Sequence, residues 1–345
     1  MKPMKKSIIL ATALASIVSS PAFAREKSDV VWLVNGDRIT GEIKRLEHGV
    51  LRLGTDSLGT VNIEWDDIKT IESDHEFQFE RTDGKRVTGG LAAAPEPQQL
   101  IVKIEDETVT FAQEDVVRIS QIEETFWQRV NGSMTFGYSF TKASDVAQGN
   151  LGFRATHRSE IRSFSIDGST IITSDQDSDK TQRSTLRLNM TRFRANRWFN
   201  SYLLGFEQND ELGLSLRTSL GAGIGRYLKQ TNKSELAVLG GLIGTSEELK
   251  GDDARQENLE GLLGVDYSRY ILDSPEMNLS ASLFAFPSIT ESGRTRAQLD
   301  INLRWELIED LFWDLNYYNT YDSDPSSDTE TNNDYGIVTS IGYSF

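Results

Sequence analysis

From residue 126 to its end the chain alternates apolar and polar positions over stretches of ten or more residues. Residues 298–307 show the pattern most plainly: Leu299, Ile301, Leu303, Trp305 and Leu307 hold one parity, and Asp300, Asn302, Arg304 and Glu306 the other. In the first such run Met134, Phe136, Tyr138 and Phe140 alternate with Ser133, Thr135, Gly137 and Ser139. In the last, Tyr335, Ile337, Thr339, Ile341, Tyr343 and Phe345 alternate with Gly336, Val338, Ser340, Gly342 and Ser344. A period of two places successive side chains on opposite faces of a strand. With further runs near 149–158, 161–173, 182–194, 197–208, 213–227, 233–246, 257–270, 276–288 and 311–321, about twelve strands are predicted. The alternation blurs around 236–243 and 283–286, which leaves a range of 10–14 strands.

Strands in soluble sheets have a mode of about five or six residues. Longer ones, apolar on one face only, fit an all-β transmembrane antiparallel up-and-down β-barrel, with lipid outside and a polar lumen inside. Closure satisfies every backbone hydrogen bond in the bilayer. A soluble β-sandwich alternates too, and connection lengths separate the two readings. Ser159-Glu160, Ala195-Asn196 and Ile308 to Asp310 are tight, and Lys229 to Asn232 and Leu272 to Glu276 are short. The connections at 174–180, 246–253 and 321–330 are long and acidic. One rim of turns and one of loops is the barrel arrangement. A mean hydropathy of −0.41 then follows from the lumen-facing half of each strand.

Composition adds an address. Lys2, Lys5 and Lys6, the apolar run Ser7 to Val18, and Ala22-Phe23-Ala24 read as a signal peptide over residues 1–24 with Arg25 as the mature start. The formal charge of −16 becomes −19 without the three leader lysines. An acidic chain of this kind is not expected to bind nucleic acid, which requires cationic neutralisation of phosphates. The absence of Cys excludes disulfides, thiolate metal sites and Cys nucleophiles.

Residues 28–122 carry a small β pattern twice. Asn35-Gly36-Asp37 is a hairpin-type turn signal between Val31 to Val34 and the alternating Arg38 to Ile43, and His48-Gly49 is a second turn. Gly36, Gly41, Val61, Asp67, Ile68 and Ile71 correspond to Gly84, Gly89, Val109, Asp115, Val116 and Ile119, each 48 positions on. Such repetition reflects one folding unit used twice. The expected organisation is a tandem of SH3-like or Sm-like small barrels at 28–74 and 75–122, followed by the large barrel at 126–345. In the second copy Ala92 to Pro97 replaces the His48-Gly49 turn. The tandem reads either as a module for a periplasmic partner or as a structural base.

A signal peptide, the "NGDRITG" unit and a barrel ending "YGIVTSIGYSF" together resemble the salt-induced outer-membrane proteins of the YdiY type, a family with a domain of unknown function. The resemblance covers about 126–345. It implies an outer-membrane barrel of the cell envelope of a Gram-negative-type bacterium, with the N-terminal domain in the periplasm, and no established catalytic residue or substrate. Tyr343 and Phe345 resemble the terminal signal read by the barrel-assembly machinery. Lipid is the implied surrounding partner.

Candidate chemistry is sparse. His157-Arg158-Ser159 resembles the His-x-Ser arrangement of outer-membrane lipid hydrolases, but no acid orients the His, and an enzyme is not expected. The loop acids Asp175 and Asp177, Asp252 and Asp253, and Asp322 and Asp324 are weak oxygen-ligand candidates for divalent cations; no cofactor is expected. Parity turns Arg154, Arg187, Arg217, Arg304, Asp167, Glu260, Asp266, Asp300 and Asp314 into the lumen. Opposed charges there line a selective path or pair into a closed network. Gly221, Gly223 and Gly225, on one parity, predict a flattened wall that widens or bends the lumen. The expected roles are a narrow or gated passage, or a non-conducting barrel that anchors the N-terminal domain.

Overall fold

The computed structural model describes residues 27–105, 107–122, 130–141, 146–159, 161–174, 180–250, 255–272, 276–308, 310–324 and 332–344. The leader, Asp175, Asp177, Asp252, Asp253 and Phe345 lie outside the described residues.

Nine strands form the N-terminal domain: β1 (Asp29–Leu33), β2 (Arg38–Glu47), β3 (Val50–Gly54), β4 (Thr60–Glu64), β5 (Ile68–Arg81), β6 (Arg86–Ala92), β7 (Gln99–Ile104), β8 (Glu107–Ala112) and β9 (Val116–Gln121). Their order is β4-β3-β2-β1-β5-β6-β7-β8, with β9 pairing β2 and β5. Gly36 and Gly84 close equivalent turns at φ of 95° and 77°, a region open to glycine without a Cβ penalty. The expected boundary between residues 74 and 75 falls inside β5. The two units therefore share a strand and one core, which joins Val31, Leu46, Leu53, Trp65 and Ile71 to Phe77, Phe79, Val102 and Ile119. They do not stand as separate small barrels.

Pairings within the domain recur at a shift of 48. Val31 faces Ile71 between β1 and β5, and Phe79 faces Ile119 between β5 and β9. At the centre, Trp65 and Gln113 are themselves 48 apart and meet each other. The Trp65 indole Nε1 donates to the Gln113 carbonyl at 2.8 Å, and the Gln113 amide donates back to the Trp65 carbonyl. Both groups are buried, where an unpaired amide or indole costs about 1–3 kcal/mol.

The rest of the chain is a closed twelve-stranded antiparallel barrel. Its strands are β10 (Val130–Thr141), β11 (Val146–Arg158), β12 (Arg162–Ser174), β13 (Thr181–Phe193), β14 (Trp198–Asn209), β15 (Leu214–Gln230), β16 (Ser234–Leu249), β17 (Arg255–Ile271), β18 (Met277–Pro287), β19 (Thr295–Ile308), β20 (Leu311–Asp322) and β21 (Asn333–Ser344). Closure runs through β10 and β21, from Ser133↔Ser344 to Phe136↔Ile341. Phe136, Leu151, Leu220, Leu263, Ile337 and Ile341 are among the large apolar side chains exposed on the outer face. Such a band is stable against hydrocarbon and costly in water. Tyr343 also points outwards, between Met134 and Leu311 on neighbouring strands.

The N-terminal domain sits on the short-turn rim. Asn232, in the β15–β16 turn, donates through Nδ2 to the Val116 carbonyl at 2.9 Å. Lys233 pairs with Asp66 at 2.7 Å.

Candidate functional site: a divided lumen beneath a docked domain

Two arginines of β13 reach across the barrel. Arg187 donates through Nη2 to Gln298 Oε1 on β19 at 3.4 Å. Arg183 donates to the Thr320 hydroxyl on β20 at 2.9 Å, lies 4.0 Å above the Tyr318 ring and faces Asp334 at 3.8 Å. These bridges divide the lumen lengthwise.

On one side the lumen is filled. Ile243, Leu262 and Phe286 are buried against Leu203, Leu239 and Phe284, all inward-facing. The glycine row of β15 serves this packing. A Cβ at Gly225 would collide with the Phe199 ring, and one at Gly223 would stand 3.0 Å from Leu239 Cδ1. The row therefore seats bulky neighbours and fills the lumen, which corrects the expectation of local widening.

On the other side lies a polar cavity of about 440 Å³. Arg154 pairs with Asp167, and Arg304 faces Asp314 at 3.7 Å while Asn302 donates to that carboxylate at 2.7 Å. Asp266 and Asp300 flank Ser282 on adjacent strands of the same cavity. A second chamber of about 300 Å³ opens at the long-loop rim and shares Ile171, Arg183 and Tyr318 with the first. Of the predicted lumen residues, Arg154, Asp167, Arg187, Asp266, Asp300, Arg304 and Asp314 line this cavity.

Arg217 and Glu260 face inwards but belong to a buried ionic cluster near the long-loop rim. Arg217 donates to Glu247 at 2.7 Å and to Glu207 at 3.0 Å. Arg294 donates to Glu247 at 3.0 Å and to Asp322 at 2.7 Å, and Arg296 binds Glu260 at 2.8 Å. Pairing is what makes buried charges tolerable. Asp322 is thus consumed by Arg294, and Asp324 turns its backbone N–H to Asp322 at 3.2 Å. Among the described residues no group of three or more acids and histidines is placed to hold a metal ion.

His157 lies on the outer face of β11, opposite Phe164. The Ser159 hydroxyl donates to the Arg162 carbonyl at 3.1 Å, so the neighbouring turn occupies it.

The short-turn mouth is covered by the β2–β3 hairpin. His48, at φ 53° on its tip, stacks on Tyr270 of β17 with ring centroids 4.1 Å apart. Gly49 packs so closely that a Cβ would stand 2.8 Å from Leu272 Cδ1 and 3.1 Å from the Asn232 carbonyl. Beside the tip, Glu80 is shared by Arg86 at 3.5 Å and by Arg118 and Arg158 at 3.6 Å. Phe193 is held between Arg158 of the barrel at 4.0 Å and Arg86 of the domain at 5.5 Å. Burial lowers the His48 pKa. Burial alone would raise the Glu47 carboxyl, but Arg118 and further cations hold it well below the usual carboxylate range. None of these residues was legible in the sequence as a docking residue. The one signal was the divergence of the two copies at His48-Gly49 against Ala92 to Pro97.

The chain is similar in fold to the translocator domain of autotransporter NalP from Neisseria meningitidis, with 12% identity, a TM-score of 0.36, and 62% of this chain and 87% of that chain covered. It is also similar to the beta domain of the Bordetella autotransporter Brka, with 9% identity, a TM-score of 0.32, and coverage of 63% and 97%. A bacterial polysaccharide outer membrane secretin gives 9% identity, a TM-score of 0.32, and coverage of 78% and 96%. No curated protein matches the chain. Residues 134–345 match the family described as Protein of unknown function, DUF481, and the chain belongs to that family.

Proposed function

We propose that this protein is a narrow, gated outer-membrane passage for ions or small solutes, closed here by its N-terminal domain. The observation that carries the reading is the polar cavity of about 440 Å³, which adjoins the chamber at the long-loop rim and shares Arg183 and Tyr318 with it as a common wall. An inert barrel has no need of a charge-lined polar cavity beside a filled half. In this reading the leader is removed on export, the short-turn rim and the docked domain face the periplasm, and the domain is an internal duplication. The chain has no enzymatic role, and undocking of the β2–β3 hairpin opens the path.

Planar-bilayer recording on the full chain tests this. Discrete small conductances with long closed intervals are expected, and silence at every salt concentration and voltage would remove the passage. A second reading, a non-conducting barrel that presents the N-terminal domain to a periplasmic partner, is favoured by the buried ionic cluster around Arg217 and Arg294. That silence would select it.

A further inference from the structure

The outer face of β12–β15 carries an unusual charge arrangement at the short-turn rim. Arg162 and Arg192 stand directly opposite each other on neighbouring strands. Both are exposed. Their parity is that of Phe164 and Met190, so they project outwards with the apolar band. Like charges in directly opposed cross-strand positions, with Cβ atoms about 5 Å apart, are destabilising unless compensated. Arg194 follows at the end of the same strand, and Arg226 lies opposite Trp198, 5.5 Å from its ring centroid. Among the described residues none of Arg162, Arg192, Arg194 and Arg226 has a carboxylate partner.

The surroundings say what compensates them. One rung further into the barrel wall are Phe164, Met190 and Tyr202, paired in register, and Phe164, Tyr202 and Trp198 are exposed aromatics. Aromatic side chains at the edge of the apolar band mark the membrane interface. A two-residue step along a strand is about 6.7 Å, which puts the arginines at headgroup level. The opposite rim behaves differently: outward-facing Arg255 there is paired with Glu248.

We infer that this arginine cluster binds the phosphate of an anionic phospholipid, such as phosphatidylglycerol, in the leaflet on the side of the N-terminal domain. Arg162 and Arg192 clamp the phosphate as fixed forks suited to it, while Trp198 and Tyr202 sit beside the glycerol and upper acyl chain. The inference rests on the membrane-spanning reading of the barrel and is independent of conduction.

The test is native mass spectrometry of the full chain released from micelles with equal phosphatidylglycerol and phosphatidylcholine. The intact protein should retain phosphatidylglycerol preferentially. Arg162→Gln and Arg192→Gln should each lower that preference about fivefold, from the contribution of one arginine near an anionic surface. The two lysine substitutions, which keep the charge but lose the fork, should each fall between the unmodified protein and the matching Gln variant, and Arg255→Gln should leave the preference unchanged. Heat-modifiable gel mobility reports whether each variant keeps its barrel. Equal retention of both lipids, or an undiminished preference in the folded Gln variants, overturns the site. Displacement of the lipid by soluble glycerol phosphate as readily as by lipid overturns the assignment to a membrane lipid.

Discussion

Arg158→Gln tests the docking latch most sharply. Its guanidinium makes one contact across the boundary, the ion pair to Glu80 at 3.6 Å; its stack over Phe193 at 4.0 Å lies within the barrel. Glu80 keeps Arg86 and Arg118 after the change, so no carboxylate is stranded. The loss to docking is then about 1 kcal/mol, for a partly buried ion pair. At 1.36 kcal/mol per factor of ten, about 1 kcal/mol shifts the docking equilibrium about fivefold towards the open state. Two assays read the shift. Amide exchange in the β2–β3 hairpin should accelerate by that factor if exchange proceeds through undocking, and the odds of the open state in single-channel records should rise comparably. A folded variant with unchanged exchange and unchanged opening would refute the assignment of this interface as the latch.

The docked state holds the His48 pKa below its ordinary 6.5 because burial disfavours the imidazolium; the undocked state therefore protonates first, and docking weakens as pH falls below 6.5. Relative to the base-catalysed intrinsic exchange rate at each pH, hairpin protection should be lower at pH 5.5 than at pH 7.5, and His48→Gln should flatten that difference; a protection profile unaltered by the substitution argues against it. Burial, followed by the neighbouring Glu306, pushes the Glu276 carboxyl in the β17–β18 turn up to about 7. The folded state thus holds a proton that the unfolded state releases at about 4.5, and stability is lost as pH rises through that interval. Glu276→Gln should raise the melting temperature more at pH 8 than at pH 4.5, and equal shifts would contradict this. Arg294→Met leaves Asp322 with only the longer pair to Arg217 at 3.8 Å and strips one of two arginines from Glu247, and should cost about 3 kcal/mol in urea unfolding. Pairing it with Asp322→Leu should recover part of that loss, and no recovery would show that the two do not act as a pair.

The barrel was legible because the bilayer imposes period two on every strand: the runs ending at Leu307 and at Tyr343 announce β19 and β21 directly. Where the alternation blurred, around 236–243 and 283–286, the cause is physical. Leu239, Ile243, Phe284 and Phe286 occupy lumen positions but pack against one another, so both faces of those strands are apolar. The same filling inverted the meaning of Gly221, Gly223 and Gly225, since a glycine row looks alike whether it leaves space or receives a ring. Parity placed Arg187 and Arg217 inside but carried no information on reach. One bridges the lumen to Gln298, and the other closes a buried cluster with Glu207 and Glu247. The docking surface was hidden because its contacts, such as Asn131 with Arg45, join residues 86 positions apart. The 48-residue offset was plain in the sequence, whereas the shared strand β5 was not, because an unbroken strand and two abutting ones have the same pattern.

The chain has no Cys, so a single engineered disulfide can lock the hairpin. A Cβ at Gly49 would lie 3.4 Å from the Asn232 Cβ, close to the separation of about 3.8 Å that a disulfide spans, and the Leu272 methyl that it would meet at 2.8 Å is the end of a side chain that can turn aside. Planar-bilayer conductance of the full chain carrying Gly49→Cys and Asn232→Cys, recorded before and after reductant, tests the gating claim most directly. Closed barrels under oxidising conditions that begin to conduct on reduction are the predicted result. Equal conductance in both states, with the disulfide verified by mass, would contradict the N-terminal domain as the gate.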